Sequence, residues 1–314
     1  MRITVVIFAI SHVAANPLDM LLLSALALIA ISGRIFHVFF LSRLYSARLY
    51  DVTVIVCPVF RRLSPQENFK KGVAVMALYV LSDTHLATAN AGKSMEVFGH
   101  RWQNYINRIE KNWLATVTQE DTVILPGDIS WAMTLEEAYG DFAFLDRLPG
   151  KKLIGKGNHD FWWTTAAKMY RFFADNNLET LQILYNNAYR IEDKIVCGTR
   201  GWFIDPSLQK TVGTVDYTKI VNREVIRLRM SLDAARALCT APEDEILPFL
   251  HFPPVFGDFK CEEIQQVLAE YGVKRCYFGH IHGNYSIPQQ QTIDGIRYLL
   301  VSADYLNFVP FPVL

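Results

Sequence analysis

From residue 76 onward, short apolar runs alternate with longer stretches in which apolar positions recur every three or four residues. Residues 78–82 form an apolar run that ends at Asp83. A second run, 121–125, stops at Pro126-Gly127, and a third, 152–154, leads into Gly155-Lys156-Gly157. All three predict strands. Trp102, Ile106, Ile109 and Trp113 share one helical face and predict a helix over 102–117. Further helices are expected over 135–147, 168–176, 219–239 and 262–271. A hairpin is expected where 189–191 and 194–197 flank Glu192-Asp193. Pro242 and Pro248 bracket a connector before a strand end at 249–251, and strands follow over 275–278 and 296–302. Repeated strand, polar loop and helix make an α/β layout, in which ligands gather at the carboxyl ends of the strands.

Residues 1–75 do not share this pattern. Apolar runs lie at 3–10, 18–31, 35–41 and 52–60, the last three separated by arginines. None reaches the roughly 20 apolar residues of a membrane-spanning helix. The chain is therefore divided into an apolar, basic N-terminal extension over 1–75 and an enzyme domain over 76–314. Met76 opens the first strand, and the codons for Lys70-Lys71-Gly72 would be rich in A and G, as a bacterial ribosome-binding sequence is. The natural start is expected at Met76, with a membrane anchor as the rival reading. A cytoplasmic location follows from the first, a membrane-anchored one from the second.

Composition narrows the class. With 51% hydrophobic and 20% charged residues the chain is globular. A formal net charge of zero gives no sign of a nucleic-acid partner. The charge is unevenly spread, because residues 1–75 hold eight basic residues against three acidic ones, which leaves the rest mildly acidic. Five cysteines without a C-x-x-C pair argue against a disulfide scaffold or a zinc ribbon.

The polar residues at the predicted strand ends are unusual in kind. They are Asp83 and His85, then Asp128, then Asn158-His159-Asp160, then His251, then His280 and His282. Residues two apart on an extended chain point the same way, so Asp83 with His85, and His280 with His282, can each present two ligands to one place. Carboxylate, imidazole and amide oxygen suit divalent Mn, Fe, Zn or Ni. Glycines beside them let the backbone turn sharply. Two such ions about 3.5–4 Å apart can clamp both oxygens of a phosphoryl transfer, and a water shared between them becomes hydroxide near neutral pH.

The ordered set D-x-H, G-D, G-N-H-D, H and G-H-x-H resembles the calcineurin-like metallophosphoesterase superfamily over 83–282. The resemblance implies a four-layer α/β/β/α sandwich of two mixed sheets. It implies a phosphohydrolase cleaving mono- or diesters, with a metal-bridging hydroxide as nucleophile and two divalent ions as cofactors. Asp83, His85 and His282 would hold one ion, and Asn158, His251 and His280 the other, with Asp128 between them. His159 would contact the phosphate and protonate the leaving oxygen, and Asp160 would orient that imidazole. One departure matters: the position three after Asp128, acidic in some branches, is Trp131. This argues against the Ser/Thr protein phosphatase branch.

A small phosphate ester is the expected partner. Trp162, in Phe161-Trp162-Trp163, is a candidate wall for its organic group, with core packing as the alternative. Arg200 is a candidate grip on a phosphate oxygen. Two other functions remain open: a nuclease or cyclic-nucleotide phosphodiesterase, and a non-catalytic metal-binding scaffold on the same fold. The presence of His159 with every ligand position filled favours catalysis.

Overall fold

The computed structural model describes residues 76–88, 91–202 and 217–313. The expectations for residues 1–75 lie outside the described residues. The strands, in chain order, are β1 (Leu78–Val80), β2 (Thr122–Leu125), β3 (Lys151–Ile154), β4 (Leu181–Ile183), β5 (Asn187–Ile191), β6 (Lys194–Thr199), β7 (Glu245–Leu250), β8 (Val255–Phe256), β9 (Phe259–Lys260), β10 (Arg275–Phe278), β11 (Gln290–Ile293), β12 (Ile296–Leu300) and β13 (Phe311–Pro312). Five α-helices accompany them among the described residues: α1 (Tyr105–Thr116), α2 (Tyr139–Arg147), α3 (Ala166–Asp175), α4 (Tyr217–Leu238) and α5 (Glu262–Glu270).

Two mixed sheets result. The first has the order β13-β1-β2-β3-β4, parallel except where β13 runs against β1. The second has the order β11-β12-β10-β7-β6-β5, with a parallel centre and an antiparallel strand at each edge. β2 reads Thr-Val-Ile-Leu and is buried throughout, as a strand covered on both faces must be.

Alternation along the strands builds the layers. Val123 and Leu125 face a core made with Tyr105, Ile109 and Trp113 of α1, Phe142 of α2 and Phe173 of α3. Ile124 and Leu153 face the other way, onto Leu247, Phe249 and Tyr277 of the second sheet. Phe249 and Tyr277 are register partners on β7 and β10, and their rings stack at 4.8 Å. Cys276 and Phe278 turn outward to Leu228 and Leu232 of α4 and Ile264 and Leu268 of α5. Burying each such large apolar side chain contributes about 1.5–3 kcal/mol. Helices, sheet, sheet, helices is the four-layer sandwich.

The sheets are joined beyond the end of β1. The Ser82 N–H donates to Val301 O at 2.9 Å, and the Ala303 N–H donates to Ser82 O at 2.9 Å. This seam brings the carboxyl ends of β1, β2 and β3 beside those of β7 and β10. The strand through Pro248 corrects the connector expected there. Pro248 pairs with Cys197 of β6, and β10 begins its pairing with β7 only at Phe249, so no second neighbour requires the missing N–H. Among the described residues no helix is long and apolar enough to cross a membrane.

Candidate metal centre

Each strand in the seam ends in a residue with a metal-binding side chain. Asp83, His85, Asp128 and His280 all adopt left-handed backbone, with φ of 59°, 43°, 52° and 72°. That conformation costs a non-glycine residue about 1–2 kcal/mol. It turns the chain sharply off the sheet and aims the side chain across the rim. Asp83, His85, Asp128 and His251 are buried.

The side chains fall into two groups. Asp83, His85 and His282 form one, and Asp128, His251 and His280 the other, with the ligand atoms of each group within 4.8 Å of one another. Asn158 joins the second, its Oδ1 lying 2.7 Å from His251 Nε2. Asp128 faces both groups. Its Oδ1 accepts the His159 N–H at 2.8 Å, while Oδ2 stands 3.6 Å from His85 Nε2 and 3.5 Å from His251 Nε2. The seven side chains named from the motifs are thus gathered in one place.

Their chemistry fits divalent cations. His85 Nε2 and His282 Nε2 face each other at 3.2 Å, and the buried Nδ1 atoms of His85 and His251 have no hydrogen-bond partner. Burial holds His85 and His251 well below the ordinary imidazole range, and His280 is lowered to about 4 mainly by burial. Burial also pushes Asp128 well up, reinforced by Asp160 and Asp83. Asp83 behaves oppositely: burial would raise it, but the hydrogen bond and charge of His282 hold it down. The neutral imidazoles of His85, His251 and His280, set around buried carboxylates, offer lone pairs to a cation.

Glycine makes the approach possible. A Cβ on Gly157 would stand 2.0 Å from Asp128 Oδ1, and one on Gly279 would stand 2.3 Å from Asp83 Oδ2. Only hydrogen fits at either place.

Two expectations need correction. Asp160 makes no hydrogen bond to the His159 ring among the described residues. Its carboxylate accepts the N–H groups of Asp128 at 2.9 Å, Ile129 at 2.8 Å and Gly157 at 2.7 Å, and the Trp162 indole N–H at 3.1 Å. It ties the Asp128 loop to the Asn158 loop, and with its acceptor positions spent there it has none to offer His159. Burial raises its pKa to about 6 against the pull of those donors. Trp162 is the second correction. It is 2% exposed and packs edge-on to Phe142 at 4.8 Å, so it belongs to the core and not to a substrate wall. The aromatic surface beside His159 is instead Trp131, at 4.5 Å and also stacked on His85 at 4.9 Å, with the exposed Phe161 beyond. Burial lowers the His159 pKa. Arg200 stands with Nη2 3.5 Å from Glu224 of α4, and its carbonyl accepts the His251 N–H at 3.1 Å.

Sequence reasoning missed Asp304. It is fully buried after β12 and accepts from His282 Nδ1 at 2.8 Å, the Gly283 N–H at 3.1 Å and the Tyr285 hydroxyl at 2.9 Å. It fixes the tautomer of His282 and turns Nε2 toward Asp83, 3.4 Å away. The only sequence signal was an acidic residue directly after an apolar strand. The Asp304→Asn variant is expected to bind zinc about 10–100-fold more weakly. Competition against a chromogenic chelator measures this, and an unchanged affinity would show that His282 needs no such support.

Comparison with known proteins accords with this geometry. A family model described as calcineurin-like phosphoesterase matches residues 76–284. No curated protein sequence matches the chain significantly. Among solved structures, a phosphopantetheinyl hydrolase from Mycobacterium tuberculosis is similar at 15% identity and TM-score 0.44, covering 77% of this chain and 96% of that one. A protein of unknown function from Aquifex aeolicus is similar at 15% identity and TM-score 0.42, covering 76% and 95%. The calcineurin-like phosphoesterase YfkN from Bacillus subtilis is similar at 12% identity and TM-score 0.35, covering 73% and 82%. With the model spanning well over half of the chain, from the first strand past the last histidine of the centre, the protein belongs to the calcineurin-like phosphoesterase family.

Proposed function

We propose that the chain is a two-metal phosphohydrolase, with Asp83, His85 and His282 on one ion, Asn158, His251 and His280 on the other, and Asp128 shared. The observation that carries this reading is the position of Asp128 Oδ2, nearly equidistant from a histidine of each group. Two divalent ions bound there would polarise the phosphate and make a shared water acidic enough to attack. The chain's own residues do the rest. His159 has its backbone fixed by Asp128 Oδ1, and its ring would contact phosphate and protonate the leaving oxygen. Trp131 backs both His159 and His85.

The test is hydrolysis of p-nitrophenyl phosphate, and of p-nitrophenyl phenylphosphonate as a diester, by the full-length chain with added manganese. Turnover that EDTA removes supports the reading, and the ratio of the two rates assigns monoester or diester preference. A chain that holds manganese but hydrolyses neither would be a metal-binding scaffold.

Metal uptake should also release protons. Without metal, His282 is raised to about 10: burial opposes the charge, but Asp304 and Asp83 outweigh it. A group raised in the folded state stabilises that state below its unfolded value and loses the contribution as pH passes through its folded value. An ion needs the lone pair that this proton occupies. Between pH 6.5 and 8.5 apparent affinity should therefore rise about 100-fold for one displaced proton. Chelator competition at the two pH values reads the change, and a flat profile would refute the assignment of His282 as a ligand.

A further inference from the structure

A run of rings leads outward from the candidate metal centre. His85 is buried and lies 4.9 Å from Trp131, stacked at 22°. Trp131 is half-buried and lies 4.5 Å from the half-buried His159. His159 lies 6.2 Å from Phe161, edge-on at 78°, and Phe161 is 55% exposed.

Local structure fixes Phe161 in that outward place. The His159 carbonyl accepts the Phe161 N–H at 2.8 Å, and the Asp160 carbonyl accepts the Trp163 N–H at 3.1 Å. Both chain neighbours of Phe161 are buried, Asp160 among its backbone donors and Trp162 against Phe142. The turn is thus anchored on each side of Phe161, and its ring is presented to solvent. Trp131 is held as firmly, its N–H on Leu86 O at 3.0 Å and its carbonyl on Lys93 Nζ at 3.1 Å. An isolated exposed aromatic is ordinary on a protein surface. Phe161 is not isolated, because it ends a run that starts at a candidate metal ligand.

We propose that Phe161, backed by Trp131 across His159, recognises an aromatic ring bonded directly to the ester oxygen, so that the substrate is an aryl phosphate. The inference rests on the two-metal reading, in which His159 protonates the leaving oxygen. Hydrolysis breaks the bond between phosphorus and that oxygen, water supplies the new oxygen on phosphorus, and the phenol leaves with a proton from His159. The leaving oxygen must come within about 3 Å of an imidazole nitrogen, so the group it carries departs past the rings that flank His159. Aromatic pairs form at centroid separations of about 4.5–7 Å. A ring joined straight to the oxygen meets Phe161 without a spacer, whereas a base carried on a sugar stands farther out.

The test is calorimetric binding of benzylphosphonate, cyclohexylmethylphosphonate and methylphosphonate to the manganese-loaded full-length chain, run beside p-nitrophenyl phosphate hydrolysis. Benzylphosphonate places a planar ring where an aryl phosphate has one, and the cyclohexyl ligand puts a puckered ring of similar size there. The wild type should bind the benzyl ligand about fivefold more tightly than the cyclohexyl one, the effect of one aromatic pair. Phe161→Leu should abolish that preference and Phe161→Tyr should keep it, with methylphosphonate affinity and manganese stoichiometry near the wild-type values in both. A wild type that does not distinguish the two rings, or a Phe161→Leu variant that still does, would overturn the inference. Hydrolysis without preference for the planar ring removes the aryl reading alone, whereas a Phe161-dependent preference without hydrolysis removes the hydrolase reading alone.

Discussion

The Asp128→Asn variant is expected to lose at least about 10³-fold in kcat on p-nitrophenyl phosphate, the equivalent of about 4 kcal/mol of transition-state stabilisation. The carboxylate has two separate tasks. Oδ1 accepts the His159 N–H, and Oδ2 faces His85 and His251 together. An amide keeps one oxygen. It can serve His159 or the ions, and its NH2 group would meet whichever is left. It also removes a negative charge from the place where the proposed two cations would lie within a few ångströms of each other. Steady-state rates with manganese, together with metal content by atomic emission, read both consequences. A variant retaining more than a tenth of wild-type kcat with two ions bound would exclude Asp128 as the shared ligand.

The Gly157→Ala variant is expected to fail although every ligand is present. Its Cβ would stand 2.0 Å from Asp128 Oδ1 and 2.3 Å from the Asp128 nitrogen, neither at the far end of a flexible chain. Overpacking of this kind typically costs about 1–3 kcal/mol. The displaced carboxylate should lower activity by about 10²-fold, since a misplacement of about 1 Å is enough for that. Gly272 is the control. It has φ of 69° with nothing near its missing Cβ, so Gly272→Ala should cost about 1–2 kcal/mol of backbone strain and leave kcat unchanged. Thermal unfolding and hydrolysis of both variants separate the two effects. Equal activity in the two would mean that the Asp128 loop moves aside freely.

The candidate ligands were legible because each stands where an apolar run stops. A carboxylate or imidazole directly after a buried strand has little reason to be there except chemistry, and five such places in order leave few alternatives. β10 could be read from Arg275 to Phe278 because its run is unbroken. What sequence could not convey was who stands opposite whom. Asp160 adjoins His159 in the chain, so adjacency suggested a pair, yet its carboxylate turns back onto the Asp128 loop. Asp304 is 22 residues from His282 and becomes its partner only through the seam between the sheets. Pro248 looked like a strand breaker, and only the late start of β10 pairing makes it harmless.

That seam also sets an order of assembly. The carboxylate of Asp83 waits for the His280 N–H, 197 residues further along, and the loop of β1 is closed by Val301 and Ala303. A ribosome adding about 5–20 residues per second needs on the order of ten seconds or more to supply them. Throughout that interval the first aspartate and histidine are a half-built chelator, exposed to whatever cation passes. If the centre holds ions as proposed, loading would be a late event, and a chain truncated before β12 should be unable to keep them.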